Sequence, residues 1–484
     1  MKRIIPIIFL PALAICMGGC SKTLSKLPDN RAVITTPDQV TQLLTSAYPH
    51  ATYMAFTEPM SDNAEDKGTA SSTADPESYQ INQQAYQFQD ATTIKYDSPV
   101  AYWDSCYKAI AVANQALLYC NGADSASYAA QKGEALVCRA YAHFMLVTLF
   151  SKPYDPATAA SDPGVPYVTK PQDNVFQNYS RGTVASVYAN IESDLVRGMA
   201  LIQDKIYGTV PKFHFTQQAA HAFASRFYLF KQDYANVIVH SSAVFGSANP
   251  ASLIRSTASD FATLQYSQLN YNYTQSSQPA NILLQESISA YFDNFYAYRF
   301  GLGEGVRSNF VSAANVTGGS YGVIIYGASP QYYNIPKWLS YSVGNFKYGT
   351  VPLFSMEEIL LNRAEAYVRT ANYTAALADL NAWVGKNVKN YSPASHNITT
   401  TKATGFYGLS ADASLIECAL DFKRIAYLQE GLRWFDLIRL KRPVYRYNGS
   451  DFSTVITTIA ASDKRRILQL PAEAAQYGLQ LNPR

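Results

Sequence analysis

The chain has 484 residues, of which 48% are hydrophobic and 15% are charged, and its formal net charge is +3. This hydrophobic content excludes a wholly disordered chain, and the length is enough to bury one large core or several smaller ones. The near-neutral charge gives no electrostatic reason to expect a nucleic-acid partner, because proteins that bind phosphate backbones are usually basic. The 37 tyrosines instead favour a surface that binds uncharged polar ligands.

The first residues have the pattern of an export signal. Lys2 and Arg3 precede an apolar run over residues 4–16, which is shorter than the roughly 20 residues that span a membrane. Small residues lie just before Cys20, as a lipoprotein signal peptidase requires. We therefore predict that residues 1–19 are removed and that Cys20 carries acyl chains that anchor the protein to a bilayer. An ordinary signal peptide followed by a chance cysteine is the alternative.

Helical periodicity is the main structural signal along the rest of the chain. Its clearest segments come in pairs, and we predict a scaffold of about four antiparallel helix pairs. The predicted scaffold segments have the approximate bounds 38–57, 98–150, 183–246, 352–386 and 414–442.

Two of these segments repeat each other. Both "RFYLFKQDYANVIVH" and "EAYVRTANYTAALADL" read Tyr, four residues, Asx, Tyr. The Asx residues, Asp233 and Asn372, stand where a second helix needs its N-cap. The pattern predicts a helix, a short turn and a second helix, as in tetratricopeptide-like hairpins. We therefore predict a mainly α fold, a tetratricopeptide-like α-α superhelix with long irregular insertions and minor β structure.

Long insertions without helical periodicity interrupt this scaffold. The two that we assign to ligand binding cover roughly residues 58–97 and 247–351, and long loops in a compact protein usually serve function. Sugar rings pack their C–H faces on aromatic side chains, while sugar hydroxyls bond to amides and backbone groups. The candidate ligand-binding residues are therefore aromatic residues of these insertions: Tyr79, Tyr86, Phe88, Tyr271, Tyr273, Tyr296 and Trp338.

Motifs for catalysis or cofactor binding do not stand out. The six histidines lack metal-binding spacing, and "GLGEG" at 301–305 lacks the strand and helix context of a nucleotide site. Asp62, Glu65 and Asp66 could hold calcium, but their spacing differs from that of a calcium loop, so we favour a solvated acidic loop. Carboxylate pairs for glycoside hydrolysis come from distant positions and leave no local motif. We predict a binding protein that is not an enzyme and has no cofactor.

The cysteines beyond Cys20 are expected to be buried free thiols. Cys106 and Cys120 lie on one predicted helix, about 21 Å apart at 1.5 Å per residue, so they cannot pair with each other. No C-x-x-C pair is present. The expected free thiols are Cys106, Cys120, Cys138 and Cys418.

The stretch "EGLRWFDLIRLKR" at 430–442 has two interpretations, an anion-binding or catalytic arginine cluster and a structural helix. Arg433, Asp436 and Arg439 are spaced three apart, so one helix face carries alternating charges that can bond in sequence. The opposite face is apolar and includes Trp434. Because no nucleophile or base lies nearby in the sequence, we favour the structural role.

Several blocks, in this order, resemble a known family. They are "YWDSCYKAIAVANQAL", "GEALVCRAYAHFMLVTLF", "DPGVPYV", "VYANIESDL", "RAEAYVRTANYTAALADLN", "EGLRWFDLIR" and "LQLPAEAAQYGLQLNPR". Together they cover nearly the whole chain. At these residues the chain is similar to the SusD/RagB family, the surface nutrient-binding lipoproteins of Bacteroidetes-like bacteria.

The resemblance implies one SusD-like domain over residues 20–484, with a ligand site built from the two insertions. It implies a protein that is anchored to the outer membrane, exposed at the cell surface, and that delivers glycans to a SusC-like TonB-dependent transporter. The RagB branch makes a peptide ligand the alternative, and aromatic content does not decide between the two. A protein-binding scaffold is a third hypothesis, because helical repeats often mediate protein contacts.

Overall fold

Antiparallel helix pairs form the scaffold of the protein. The computed structural model describes residues 34–68, 75–122, 125–171, 178–448 and 451–484. The helices of seven residues or more within these ranges are α1 (Pro37–Leu44), α2 (Met54–Met60), α3 (Pro76–Tyr86), α4 (Pro99–Cys120), α5 (Ala129–Phe150), α6 (Val184–Met199), α7 (Gln217–Lys231), α8 (Tyr234–Phe245), α9 (Tyr266–Thr274), α10 (Met356–Arg369), α11 (Tyr373–Asn387), α12 (Thr400–Tyr407), α13 (Ala411–Ala426) and α14 (Leu432–Arg439). Consecutive helices pack together, with α4 on α5, α5 on α6, α7 on α8 and α10 on α11. The predicted mainly α fold is confirmed.

Two repeated hairpins form as their sequences predict. Asp233 caps α8 and Asn372 caps α11, and each side chain accepts a hydrogen bond from a backbone N–H of the first turn. The residue before each cap, Gln232 or Ala371, has a left-handed backbone with φ of 64° or 58°. This conformation reverses the chain direction between the two helices.

Helix α5 lies at the centre of the core. It is long and apolar enough to cross a membrane by length and composition, but its apolar stretch is completely buried inside the protein. It meets α6 where two glycines face each other, because a Cβ on Gly133 would lie 2.9 Å from the carbonyl oxygen of Gly198. The buried position of α5 is that of a core helix in a helical bundle.

The β structure is confined to small antiparallel sheets in the described ranges. The strands are β1 (Glu65–Asp66), β2 (Asn281–Ile288), β3 (Phe300–Gly301), β4 (Ser340–Val343), β5 (Phe346–Ser355), β6 (Val444–Asn448) and β7 (Asp451–Ile459). Strand β5 lies between β2 and β4, while β1 pairs with β3 and β6 pairs with β7. In register, Gln285 faces Val351 and Tyr341 faces Tyr348.

The two insertions are more regular than their sequences indicate. Helix α3 forms inside the first insertion, where Asp75 caps it and Pro76 occupies its first turn. Helix α9 forms inside the second. The insertions, which we predicted to be irregular with minor β structure, therefore also contain short helices, which form by local capping where the apolar period is weak.

The stretch at 430–442 is structural. Gly431 has φ of 73° and separates α13 from α14, and Trp434 is only 1% exposed. The predicted series of ion pairs along one face of the helix forms only in part. Arg439 pairs with Asp436, as predicted, but Arg433 reaches across to Asp62 at 2.9 Å.

The four cysteines behave as predicted, since Cys106, Cys120, Cys138 and Cys418 are all buried and free. Burial raises the pKa of the Cys120 thiol to about 11 and that of Cys418 to about 12. These thiols are therefore protonated and unreactive near neutral pH. The predicted signal peptide at residues 1–19 and the predicted lipidated Cys20 lie outside the described residues.

Candidate ligand-binding site

The two insertions meet in one layer on the scaffold. Strand β1 of the first insertion pairs with β3 of the second, with Asp66 opposite Phe300. The side chain of Asn82 extends this pairing, because its Nδ2 donates to the carbonyl oxygen of Phe300 at 2.8 Å and its Oδ1 accepts from the N–H of Phe300 at 3.2 Å. Residues far apart in the sequence therefore contribute to one surface.

The acidic loop beside β1 is not a solvated loop, which corrects our interpretation. Asp62 accepts from Arg433, and Asp66 accepts from the Nε of Arg299 at 2.6 Å. Glu65 is buried, and its carboxylate accepts from two backbone N–H groups of the second insertion, at 3.0 and 2.7 Å. Burial raises the pKa of Glu65 above its ordinary value. No group of three acidic, His or Cys side chains that could hold a metal ion occurs in the described part of the chain.

Five tyrosines of this layer lie at or near the solvent boundary, and we call them the tyrosine surface. None of the five is buried, and Tyr266 and Tyr332 are 39% and 45% exposed. The rings of Tyr266 and Tyr326 meet edge to face at 5.0 Å, and Tyr266 lies within electrostatic range of Tyr296. The members are Tyr79, Tyr266, Tyr296, Tyr326 and Tyr332.

Polar side chains border the tyrosine surface. Arg299 forms a two-point ion pair with Asp66, at 2.6 and 2.7 Å, and also interacts with Tyr79. The Nζ of Lys67 donates to the backbone carbonyls of Tyr296 and Gln331. Aromatic rings and polar groups are thus neighbours in this layer, an arrangement suited to a hydroxyl-rich ligand.

A polar hollow of about 500 Å³ adjoins this face. Its lining includes Arg307, Ser312, Ser320, Gly327, Tyr333 and Lys389. One wall is held by Glu304, which accepts from Arg307 at 2.7 Å and from the Tyr333 hydroxyl at 2.8 Å. Hydrogen bonds from Arg307 and Ser308 lower the pKa of Glu304 to about 2, so this carboxylate is ionised at neutral pH. The volume is in the range of small-molecule sites, roughly 300 to 1,000 Å³.

Three of the seven sequence-predicted residues reach the surface. Tyr79 and Tyr296 are half-buried members of the tyrosine surface. Tyr271 is 54% exposed on α9, but residues five apart on a helix point about 140° apart. Tyr271 therefore points away from Tyr266, which faces Tyr326.

Tyr86 and Phe88 lie in the interior of the layer. The Tyr86 ring stacks on Phe300 at 4.3 Å, and the guanidinium of Arg446 lies 3.9 Å from the Tyr86 ring centre. Phe88 is buried against Trp434 at 5.7 Å. Because neighbouring groups cover both rings, neither offers a face to a sugar in this structure.

Tyr273 and Trp338 are also buried. The Tyr273 hydroxyl donates to Glu430 at 2.6 Å, while Arg255 lies 4.0 Å from its ring centre. Trp338 packs edge to face on Phe295 at 4.8 Å. Tyr273 therefore links the second insertion to the scaffold, whereas Trp338 packs within the insertion.

Sequence reasoning missed Tyr266 and Tyr326. Both lie in the second insertion, the segment that composition had indicated. Contacts with other parts of the chain determine which tyrosines of the insertion lie at the surface, and no local sequence pattern indicated them.

Comparison with known proteins connects this architecture to a family. Residues 22–229 match the family model SusD-like_3, described as starch-binding and associating with the outer membrane. Over these residues, less than half of the chain, the protein is similar to the SusD-like family. The resemblance predicted from the ordered sequence blocks is confirmed. No curated protein matches the chain.

Solved SusD-like structures share the fold over nearly the whole chain. A SusD superfamily protein from Bacteroides thetaiotaomicron is 18% identical with a TM-score of 0.67, covering 93% of this chain and 100% of that chain. A putative sugar binding protein from Bacteroides vulgatus is 20% identical with a TM-score of 0.69, covering 94% and 99%. A laminarin binding SusD-like protein is 16% identical with a TM-score of 0.57, covering 93% and 100%. At these identities the likeness concerns the fold.

Proposed function

We propose that this SusD-like chain is a non-catalytic outer-membrane lipoprotein that binds oligosaccharides and delivers them to a SusC-like TonB-dependent transporter. The observation that carries the proposal is the union of the two insertions, which presents tyrosines beside a polar hollow. Aromatic rings pack against the C–H faces of sugars, and the bordering polar groups bond to sugar hydroxyls.

The comparisons support this choice of ligand and location. The matching family model is described as starch-binding and associating with the outer membrane, and one protein of the same fold binds laminarin. The anchor at Cys20 and the transporter partner are proposed on the family resemblance alone.

The charges near the site favour binding without hydrolysis. A glycosidase needs one carboxylic acid with a raised pKa to protonate the leaving group. The carboxyls that border this site, Asp66 and Glu304, instead bond to Arg299 and Arg307. Although burial acts in the opposite direction, Arg299 lowers the pKa of Asp66. Neither group is suited to serve as a general acid. The pKa of Glu65 is raised by burial, but this carboxylate lies in the interior and accepts from two backbone N–H groups.

Calorimetric titration tests the proposal with maltohexaose, a laminarin hexasaccharide and a hexapeptide as ligands. We expect binding of at least one saccharide, no products in the recovered solution, and at least a tenfold loss of affinity in Tyr296→Ala and in Tyr332→Ala. A tenfold loss corresponds to about 1.4 kcal/mol.

The matched control is Tyr119→Ala, which removes a half-buried tyrosine in the last turn of α4, outside both insertions. Its affinity should equal that of the wild type. Binding of the peptide alone would support the peptide alternative, and saccharide cleavage would contradict a non-catalytic role.

A further inference from the structure

The tyrosine surface is assembled from two short turns of the second insertion. Tyr296 lies in the turn Phe295–Ala297, and Tyr332 ends the turn Pro330–Tyr332. Neither turn belongs to a scaffold helix or a strand. Their separation determines how far apart the two rings stand.

A scaffold residue holds these loops at positions beyond the turns. The backbone carbonyl oxygen of Gln429, a scaffold residue, accepts from the Tyr291 hydroxyl at 2.8 Å. Its side-chain Oε1 accepts from the N–H of Ile335 at 2.9 Å. Its Nε2 donates to the carbonyl oxygen of Tyr333 at 3.2 Å. The scaffold therefore fixes the loops on the far sides of the tyrosine-bearing turns.

One side chain of the first insertion bridges the turns directly. The Nζ of Lys67 donates to the carbonyl oxygen of Tyr296 at 2.8 Å and to that of Gln331 at 3.0 Å. The backbone of Lys67 is fixed in turn, because its N–H donates to the carbonyl oxygen of Arg299 at 3.0 Å, next to β3. A charged donor shared by two carbonyls favours one spacing of the groups that carry them.

We propose that Lys67 is a positioning residue of the ligand site, whose ammonium group sets the spacing of the turns that carry Tyr296 and Tyr332. The inference rests on the proposed function, since it concerns the same site. It adds that the first insertion shapes the ligand surface through a contact with backbone atoms of the second.

The position of Lys67 also makes the site sensitive to alkaline pH. Burial lowers the pKa of Lys67 to about 8, although the Glu65 carboxylate acts in the opposite direction. Arg299, next to β3, is a second basic residue near Lys67, and its guanidinium is paired with Asp66. The titratable groups on the two turns are the phenols of Tyr296 and Tyr332. Loss of the Lys67 proton as the pH rises should therefore weaken its bonds to the two carbonyls.

The test compares Lys67→Met and Lys67→Arg with the wild type, using maltohexaose and a laminarin hexasaccharide. Lys67→Met keeps an apolar chain of similar length but removes the donor, and we expect at least a tenfold loss of affinity at pH 7. Lys67→Arg keeps a charged donor and should recover most of that loss. Wild-type affinity should fall between pH 7 and 9, whereas that of Lys67→Met should stay constant over this interval.

Lys231→Met is the matched control, because Lys231 pairs with Glu192 on the scaffold at 2.6 Å. It should bind as the wild type does at each pH. If Lys67→Met bound the saccharides with wild-type affinity and with the same pH dependence as the wild type, the inference would be overturned.

A second measurement separates this inference from the proposed function. Hydrogen exchange without ligand should be faster in Lys67→Met at the amides of residues 295–298 and 331–334, and unchanged in Lys231→Met. If the wild type binds neither saccharide but exchange accelerates as expected, the proposed function fails and the bridging role of Lys67 stands. Unchanged exchange in Lys67→Met would contradict the bridging role whatever the ligand.

Discussion

Two ion pairs, one in the scaffold and one in the layer formed by the two insertions, lie in different environments. In the scaffold, the side chains of Arg226 and Glu358 are 5% and 3% exposed and lie 2.6 Å apart. In the layer, the side chains of Arg299 and Asp66 are 37% and 32% exposed at the same distance. Breaking a buried pair leaves an uncompensated charge in the interior, whereas an exposed pair contributes little to stability.

This difference separates the tasks of the two regions. The scaffold pairs hold helices together and tolerate little change. The Arg299–Asp66 pair of the layer lies near solvent, where it can exchange partners with a ligand, so these two side chains can vary without loss of the fold. Stability and recognition should therefore respond to different substitutions.

The largest expected effect tests the scaffold directly. Arg226→Ala should destabilise the protein by about 3–5 kcal/mol, because it leaves the buried Glu358 carboxylate unpaired. It also removes a donor to the carbonyl oxygen of Leu353. Denaturant unfolding followed by circular dichroism measures the change. Arg299→Ala, at the exposed pair of the layer, should cost less than about 1 kcal/mol, and equal costs for the two variants would remove the distinction.

A second variant probes the link between the regions. Arg433 of α14 bonds to Asp62 at the start of the first insertion, at 2.9 and 3.0 Å. Arg433→Ala should lower stability by about 1.5–3 kcal/mol, since hydrogen bonds to charged groups contribute about that much. Saccharide affinity of the folded fraction should stay within twofold. An affinity loss without destabilisation would show instead that this arginine belongs to the ligand site.

The sequence predicted the scaffold because its signals are local. Asp233 and Asn372 cap helices through bonds to residues three positions away. The partner of Arg433 is 371 positions away, and nothing near Arg433 in the sequence specifies it. The nearer acid, Asp436, bonds to Arg439 and Lys423 instead.

The same limit applies to the ligand site. Composition identified the two insertions, but Tyr86 and Trp338 proved to be buried, while Tyr266 and Tyr326 line the surface. Whether a tyrosine is covered depends on tertiary partners such as Phe300 or Arg446, which the residues next to it do not reveal. Sequence reasoning therefore indicated the segments of the proposed site but only some of the tyrosines that the structure brings to its surface.

The free energy of unfolding at low pH should depend on a scaffold carboxyl, Asp436. Although burial opposes it, the charges of Lys423 and Arg439 lower the pKa of Asp436 from 3.8 to about 2. A carboxyl with a lowered folded-state pKa stabilises the protein above its unfolded pKa and loses that contribution as the pH falls. We expect Asp436 to contribute about 2 kcal/mol at pH 6, lost between pH 4 and pH 2.

Asp436→Asn is the control for this dependence. The variant should be less stable than the wild type at pH 6, and the two unfolding curves should converge toward pH 2. A difference that stays constant from pH 6 to pH 2 would show that the ionisation of Asp436 is not its source.

The smallest expected effects distinguish two faces of one helix in the layer. Tyr266 and Tyr271 both lie on α9, but only Tyr266 contacts another ring of the tyrosine surface. Tyr271→Ala should leave stability within about 0.5 kcal/mol of the wild type, as for other exposed positions, and saccharide affinity within twofold. Tyr266→Ala should be almost as mild for stability but should lower affinity at least fivefold in calorimetric titration. If Tyr271→Ala were the more damaging to affinity, the ligand would occupy the opposite face of α9, and the boundary of the tyrosine surface would have to be redrawn around Tyr271.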